Sequence, residues 1–432
     1  MGLPPLRTTT FATAKTAAGL ALALIMAGCG STTPTASPIG SPAATSGASP
    51  SVPATASPSP APPLVSIVPV PTSQLASPAA PKAHLDDTTA AALQQALEGI
   101  RAGGVYPGIS AAIVFPDGSL WAGQSGSAIL SPKTPATTDT LYSIGSISKT
   151  FVAALAGRLA SRGTISLDDP LAKYLPGFYD ASSITLRQLL NHTSGVMELF
   201  DVIGSAVLAN RIRVWTTDEV LAKIGRARYA FAPGKGYHYS NTDYILLGAA
   251  IEKATGQSIA ALVRSEFLEP LGLTHTFLQT EEDAPGAKAH GYKGTVATAA
   301  APVDQTAGTM LPFTAEATAV GPAGAYVSTA TDLARWGDAL YNGNVLDQAT
   351  LAAMTDISQT QPYKPRWIYG LGMEETTIAG QTAWGHRGYL DGFWSAMWYL
   401  PASHVTIVVL ANAEWADPIS TASIALAKII LA

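Results

Sequence analysis

From Asp86 onward the chain alternates between two hydrophobic periods. After Asp87-Thr88, the stretch TAAALQQALEGIRAGG spaces its apolar residues three and four apart, which predicts a capped amphipathic helix stopped by Gly103 and Gly104. GISAAIVF and LWAGQSG, on either side of Pro116-Asp117-Gly118, predict two antiparallel strands joined by a hairpin. LYSIGSISKTFVAALAG, residues 141 to 157, opens a helix that closes at Gly163 and turns Phe151, Val152, Leu155 and Leu159 toward a core. Residues 164 to 340 read mainly as short helices and loops, among them ITLRQLLNHTSGV, TDEVLAKIGRARY, NTDYILLGAAIEKATG and STATDLARWGDALYNG. Strands return in TAWGHRG, GFWSAMWYLP and VTIVVLANA, the last two separated by a turn at Ala402-Ser403-His404, and a helix follows from about 417 to 431. Two opening strands and at least three closing strands around a long helical insertion predict an α+β fold: an antiparallel sheet flanked by helices and formed from both chain ends, with an inserted, mainly helical subdomain.

Before Asp86 the pattern is different. Residues 1 to 28 have a weakly basic start (Arg7, Lys15) and an apolar run from Ala17 to Ala27, the layout of a secretory signal and too short to span a bilayer. Cys29, the sole cysteine of the chain, follows Ile25-Met26-Ala27-Gly28. This resembles the lipobox of bacterial lipoproteins, with Met26 where Leu is usual, and the resemblance implies that Cys29 is lipidated and anchors the protein to the outer face of the cell membrane. A plain secreted protein is the alternative. With one cysteine, an intrachain disulfide is excluded. Residues 29 to 85 read as a linker, since positions 30 to 85 hold 13 of the 31 prolines and no ionisable side chain except Lys82 and His84. As extended polyproline this segment reaches about 170 Å, and as a flexible coil it spans on the order of 40 Å. LVSIVPV, residues 64 to 70, reads as an apolar interruption within it. Residues 86 to 432 form the folded domain.

Of 25 basic residues only Arg7, Lys15 and Lys82 precede Asp86, so the folded domain carries 22 basic against 30 acidic groups. That balance excludes nucleic acid as an expected partner. A monomer acting on a small molecule or peptide is expected instead.

The chemistry begins at Ser146 and Lys149. Residues three apart share a helix face, with Cβ atoms roughly 5 to 6 Å apart, close enough for an amine to take a hydroxyl proton. A helix start also presents N–H groups and a positive dipole end to a developing oxyanion. Working as a base near neutral pH requires the amine to lose about 4 kcal/mol of preference for its proton, which burial can supply. Lys149, alone of twelve lysines, has Ser three positions before it, and its flanks are apolar. Two further elements lie in YHYSN and WGHRG. Tyr239 and Asn241 sit two apart in an extended stretch and can face one way, a phenol for proton relay and a carboxamide for a substrate amide. His386 precedes Gly388 by two, where a glycine lets another backbone approach the strand edge and an imidazole can meet an anion or carry protons.

SISK at 146, YSN at 239 and HRG at 386, in this order, resemble the active-site signature of the serine penicillin-recognising enzymes. The branch is that of class C β-lactamases, D-alanyl-D-alanine carboxypeptidases of the His-x-Gly type, and related esterases and D-amino-acid peptidases. TLYSIGSISKTF, ISLDDPLAKYLP, ITLRQLLNHTSG, PGKGYHYSNTDYILLG and GPAGAYVSTATDLARW share the likeness, which covers about residues 88 to 432. It implies a β-lactamase/transpeptidase-like fold with no cofactor and no metal. Ser146 would be the acylated nucleophile, Lys149 and Tyr239 would share the acid and base work, and Asn241 would bind the acyl-side amide. The N–H groups of Ser146 and Tyr389 would form the oxyanion hole, and His386 and Gly388 would line the substrate edge. Arg387 departs from the pattern, where Thr is common, which leaves recognition of a terminal carboxylate open. The expected activity is that of a D-alanyl-D-alanine carboxypeptidase-type peptidase, with an esterase or a β-lactamase as alternatives within the mechanism and a penicillin-sensing or wall-binding lipoprotein as the non-enzymatic one.

Other features have plainer readings. His192-Thr193-Ser194-Gly195 is expected to be structural, because neighbours in sequence rarely reach triad geometry. His238 should point away from Tyr239. His84, His275, His290 and His404 have no metal-ligand spacing, and no Gly-x-Ser-x-Gly elbow or phosphate-binding loop occurs. Phe200, Phe393 and Trp394 read as core residues that could also line an acyl pocket.

Overall fold

The structure, a computed structural model, describes residues 85–225, 229–295, 301–363, 368–415 and 417–431. Residues 1–84, which include the expected leader, Cys29 and almost all of the expected linker with LVSIVPV, lie outside the described residues. Among the described residues, no helix is long and apolar enough to cross a membrane.

Among the described residues, eight strands form one fully antiparallel sheet. They are β1 (Gly108–Val114), β2 (Leu120–Leu130), β3 (Lys133–Pro135), β4 (Ile368–Tyr369), β5 (Glu374–Ile378), β6 (Gln381–Leu390), β7 (Phe393–Leu400) and β8 (Val405–Ala411), in the spatial order β3-β2-β1-β8-β7-β6-β5-β4. The join between the chain ends is the β1/β8 pair, with Ile109 opposite Ala411 and Ile113 opposite Ile407. Every residue of β1 and of β8 is buried. A strand covered on both faces needs apolar residues at consecutive positions, and VTIVVLA meets that demand.

Strand alternation divides the core in two. Ile109, Ala111, Ile113, Ile407 and Val409 meet helices α1 (Asp87–Gly104) and α6 (Pro418–Ile430) through Leu93, Leu97, Ile419 and Leu426. Ala112, Val408, Leu410 and Met397 face the other way, toward α2 (Ser148–Ser161), α3 (Leu199–Ala209), α4 (Asn241–Thr255) and α5 (Ala330–Tyr341). Helices dominate the insertion, and its strands are two or three residues long, such as Tyr142–Ser143 paired with Tyr326–Ser328.

Two local expectations change. Helix α1 runs through Gly103 and Gly104, and it is Val105 that takes the left-handed conformation at φ 54°. Gly104 serves a close approach, since a Cβ there would lie 2.1 Å from the Tyr106 ring. Helix α2 has no solvent face along most of its length: all residues from Ser148 to Leu159 are buried, Arg158 included, through its ion pair with Glu266 at 2.9 Å. Such a helix is hydrophobic all round because it crosses the interior, so the predicted stripe is one part of a larger contact surface.

Candidate active site

Ser146 lies in the short 3-10 turn Gly145–Ile147 that feeds α2, one step earlier than a place inside the helix itself. Gly145 makes the turn possible. Its φ is +49°, and a Cβ there would stand 2.8 Å from Tyr389 N on β6. Gly388 does the same from the strand side, where a Cβ would fall 2.0 Å from Ile144 O and 2.2 Å from Ser395 Oγ. Ser395 Oγ in turn donates to Ile144 O at 2.7 Å. The turn carrying Ser146 is thus pressed against the edge of β6 beside Tyr389.

Lys149 is fully buried one turn on. Its Nζ lies 3.0 Å from Ser146 Oγ, 2.7 Å from Asn241 Oδ1 and 2.8 Å from Ala323 O. Two of these partners are carbonyl oxygens and can only accept. A neutral amine therefore spends its two hydrogens on Asn241 and Ala323 and directs its lone pair at the Ser146 hydroxyl. Burial lowers the Lys149 pKa to about 7, against the opposing charges of Glu198, Asp243 and Glu374. Tyr239 Oη donates to Ser146 Oγ at 2.7 Å. Its burial pushes the phenol well above its ordinary range, so it is a proton donor at rest.

Asn241 is the first residue of α4, and Ser240 before it is extended, which lets Tyr239 and Asn241 converge on Lys149 from two sides. Glu198 fixes the amide: its Oε1 accepts from Asn241 Nδ2 at 2.7 Å, leaving Asn241 Oδ1 for Lys149. The loop behind them is held by the buried group His192, Ser194 and Asp243, with His192 Nδ1 2.8 Å from Asp243 Oδ2 and Ser194 Oγ donating to Asp243 Oδ1. The His192 ring lies 4.4 Å from that of Tyr239, so this cluster supports the phenol from behind.

His386 is buried, with Nε2 2.9 Å from Tyr369 Oη and Nδ1 against the Arg387 carbonyl at 2.5 Å. A carbonyl only accepts, so Nδ1 carries the hydrogen and Nε2 accepts from Tyr369. Burial and the nearby Lys149 depress its pKa to about 3, and the neutral ring offers no positive charge to an anion. Arg387 Nε pairs with Glu374 Oε2 at 2.8 Å while its residue also lines the cavity.

Ser146, Tyr239, Asn241, His386, Gly388 and Tyr389 open onto one cavity of about 730 Å³, a size suited to a small-molecule or short-peptide ligand. Phe200, Val207, Leu208, Phe313 and Trp394 give it apolar walls, whereas Phe393 is core. His238 has its Nε2 buried without a hydrogen-bond partner. Among the described residues, no three His, Cys, Asp or Glu side chains are grouped to hold a metal ion. Sequence reasoning missed Glu198, Tyr369, Glu374 and the Ala323 carbonyl. For Glu198 a signal existed, an acid isolated within the apolar run VMELF.

A β-lactamase of Escherichia coli (strain K12) is 27% identical over 349 residues, spanning 72% of this chain and 85% of that relative. The crystal structure of a D-stereospecific amidohydrolase from Streptomyces sp. superposes with a TM-score of 0.65 at 31% identity, covering 76% of this chain and 95% of the other. A D-amino acid amidase from Ochrobactrum anthropi SV3, complexed with L-phenylalanine, reaches a TM-score of 0.70 at 27% identity, over 80% and 99% of the two chains. The family model described as Beta-lactamase matches residues 93–426, and with Ser146 and Tyr239 lining one cavity and Lys149 buried against Ser146 the chain belongs to that family of serine hydrolases.

Proposed function

We propose that the protein hydrolyses peptide or amide bonds whose acyl half is a D-amino acid, through an acyl-enzyme on Ser146. The observation that carries this reading is the Ser146 hydroxyl, held between an amine at 3.0 Å and a phenol at 2.7 Å at the wall of a ligand-sized cavity. In the acylation step Ser146 Oγ bonds to the substrate carbonyl carbon and its proton passes to Lys149 Nζ. The N–H groups of Ser146 and Tyr389 take the oxyanion charge. Tyr239 and Lys149 share the return of a proton to the leaving nitrogen, and water then cleaves the ester.

The D-configuration of the acyl half is supported by the likeness to a D-stereospecific amidohydrolase and a D-amino acid amidase. A D-alanyl-D-alanine-type peptide supplies such an acyl half. Its terminal carboxylate, however, would meet a neutral His386 and an Arg387 already paired with Glu374. Amidase or aminopeptidase-like turnover is therefore preferred over strict carboxypeptidase turnover. We further propose that the enzyme works at the outer face of the cell membrane, anchored at Cys29 and extended on its linker.

Intact-protein mass spectrometry after incubation with a fluorophosphonate and with penicillin tests the acyl-enzyme. An adduct is expected on the wild type and none on Ser146→Ala; absence of any wild-type adduct would overturn the reading in favour of a binding protein. Turnover of D-amino-acid amides, D-Ala-D-Ala peptides, p-nitrophenyl esters and a chromogenic cephalosporin then ranks the substrates. Detergent-phase partitioning of the wild type beside Cys29→Ser tests the anchor.

A further inference from the structure

Resting on that acyl-enzyme reading, we infer that the cavity wall formed by Glu316 and Asp391 is a subsite for a protonated amine carried by the acyl half of the substrate, with Glu316 as its counter-charge. Glu316 lies on the short helix Thr314–Val320 and lines the same cavity as Ser146, yet it is only 5% exposed. Its Oε2 is buried with no hydrogen-bond partner. A buried carboxylate oxygen left without a donor is costly, and such groups mark places where a ligand supplies what the protein does not.

The surrounding charges define which ligand fits. Asp391 lines the cavity beside Glu316, and Asp417 lines it from the start of α6. Glu414 lies close by and accepts from Gly392 N at 3.1 Å. Arg211 and Lys293 face this group, and both are engaged. Arg211 Nη1 lies 3.2 Å from Gln305 Oε1 and 4.0 Å from Asp391 Oδ2, with its guanidinium 3.8 Å above the Phe313 ring. Lys293 Nζ lies 3.0 Å from Glu414 Oε1. Burial, together with Asp391 and Glu414, pushes the Glu316 carboxyl well above its ordinary range, against the Asp391 backbone N–H and Arg211. An incoming ammonium supplies both the missing donor and the missing charge, and the proton on Glu316 leaves to solvent as it binds.

An anion gains nothing on this wall. Phe200, Val207, Leu208 and Trp394 cover the apolar part of the cavity, so the fitting acyl group is a hydrocarbon bearing one ammonium. That ammonium comes either from the α-amine of an unblocked D-amino acid or from a basic side chain, and the test separates these sources.

Four p-nitroanilides form two pairs: D-phenylalanine beside N-acetyl-D-phenylalanine, and N-acetyl-D-lysine beside N-acetyl-D-norleucine. In at least one pair the amine-bearing member is expected to show kcat/KM higher by roughly tenfold to a hundredfold, the range of a hydrogen bond to a charged group. Glu316→Gln is expected to bring that ratio to within about threefold of unity. Equal kcat/KM in both wild-type pairs, or a preference that survives Glu316→Gln, would overturn the subsite. Should Glu316→Gln fail to fold, Asp391→Asn gives the same readout with a smaller fall in the ratio, and an unchanged ratio there counts against the proposal. If the wild type turns over none of the four, fluorophosphonate labelling of Ser146 divides the outcomes. A labelled protein without turnover sinks the amine subsite alone, and an unlabelled one takes the acyl-enzyme with it.

Discussion

The carboxylate of Glu198 accepts the side-chain N–H of Asn241, Nδ2 to Oε1 2.7 Å, and so turns the Asn241 carbonyl to Lys149 Nζ, also at 2.7 Å. One acid thereby orients the group that holds Lys149, the proposed base. Glu198→Gln removes a charge that favours the ammonium form of Lys149 and lets Asn241 reverse its amide. The acid limb of the acylation rate against pH is expected to move to lower pH, while the maximal rate falls about tenfold, the loss of one oriented hydrogen bond. A pH series of fluorophosphonate labelling measures both. An unchanged limb and rate would show that Glu198 does not act on the base.

Lys149, as the proposed base, is expected to set the pH dependence. With its pKa near 7, the reactive neutral amine is the minority form in acid and the majority form above neutrality. Acylation should rise about tenfold per pH unit below 7 and level off above about 8. Lys149→Arg retains the positive charge but cannot yield its proton, and a loss of at least about a thousandfold in labelling is expected. Labelling at the wild-type rate would place the base elsewhere.

Much of this site was legible because its chemistry resides in side chains at short, fixed spacings. Ser146 and Lys149 lie one helical turn apart, Tyr239 and Asn241 two residues apart, and Gly388 two after His386. The order of elements, two opening and three closing strands around a helical insertion, likewise pointed to a sheet joining the chain ends, and the structure adds that β1 and β8 are buried at every position. What escaped notice acts across long stretches of chain. Glu374 reads like any other acid in EETTI, where Glu375 and Thr376 are only half-buried and Thr377 is exposed, and only the fold reveals it buried beneath Arg387. The Ala323 carbonyl carries no side-chain signal at all, though it takes one of the two hydrogens of the neutral amine. Ala153, Ala154 and Ala156 suit an exposed face as well as a crowded one, so the spacing in α2 predicts a single buried stripe, whereas the interior closes around all three.

Gly388 has no tolerance for a side chain. A Cβ would meet Ile144 O at 2.0 Å and Ser395 Oγ at 2.2 Å, and neither the backbone carbonyl nor its hydrogen-bonded partner can withdraw without moving Ser146. Gly388→Ala is expected to cost about 1–3 kcal/mol of stability and to slow labelling, because the strain falls between β6 and the nucleophile turn. Gly118→Ala is the control: its φ is +81° but nothing lies within 4 Å of its Cβ, so it strains the distant hairpin and leaves labelling unchanged. Equal labelling by both variants would mean that the β6 contact does not position Ser146.

The pair Arg387 and Glu374 tests whether the departure from the family pattern is built into the strand. Glu374 is buried on β5, and Arg387, a quarter exposed on β6, reaches it at 2.8 Å. Arg387→Met leaves a carboxylate in a poorly solvated place, and a loss of about 2 kcal/mol at neutral pH is expected, less than for a fully buried pair because the guanidinium is partly solvated. Burial already raises the Glu374 pKa with Arg387 opposing it, so without the arginine the folded-state value moves further above that of the unfolded chain. The native state then holds a proton that the unfolded state has released, and stability falls as pH rises through the window above the ordinary carboxyl range. Chemical denaturation of Arg387→Met should therefore show a deficit that shrinks on acidification. The double variant Arg387→Met/Glu374→Gln should recover more than half of it at neutral pH and lose the pH dependence. A deficit equal at both pH values and unrelieved in the double variant would mean that Arg387 acts through packing alone.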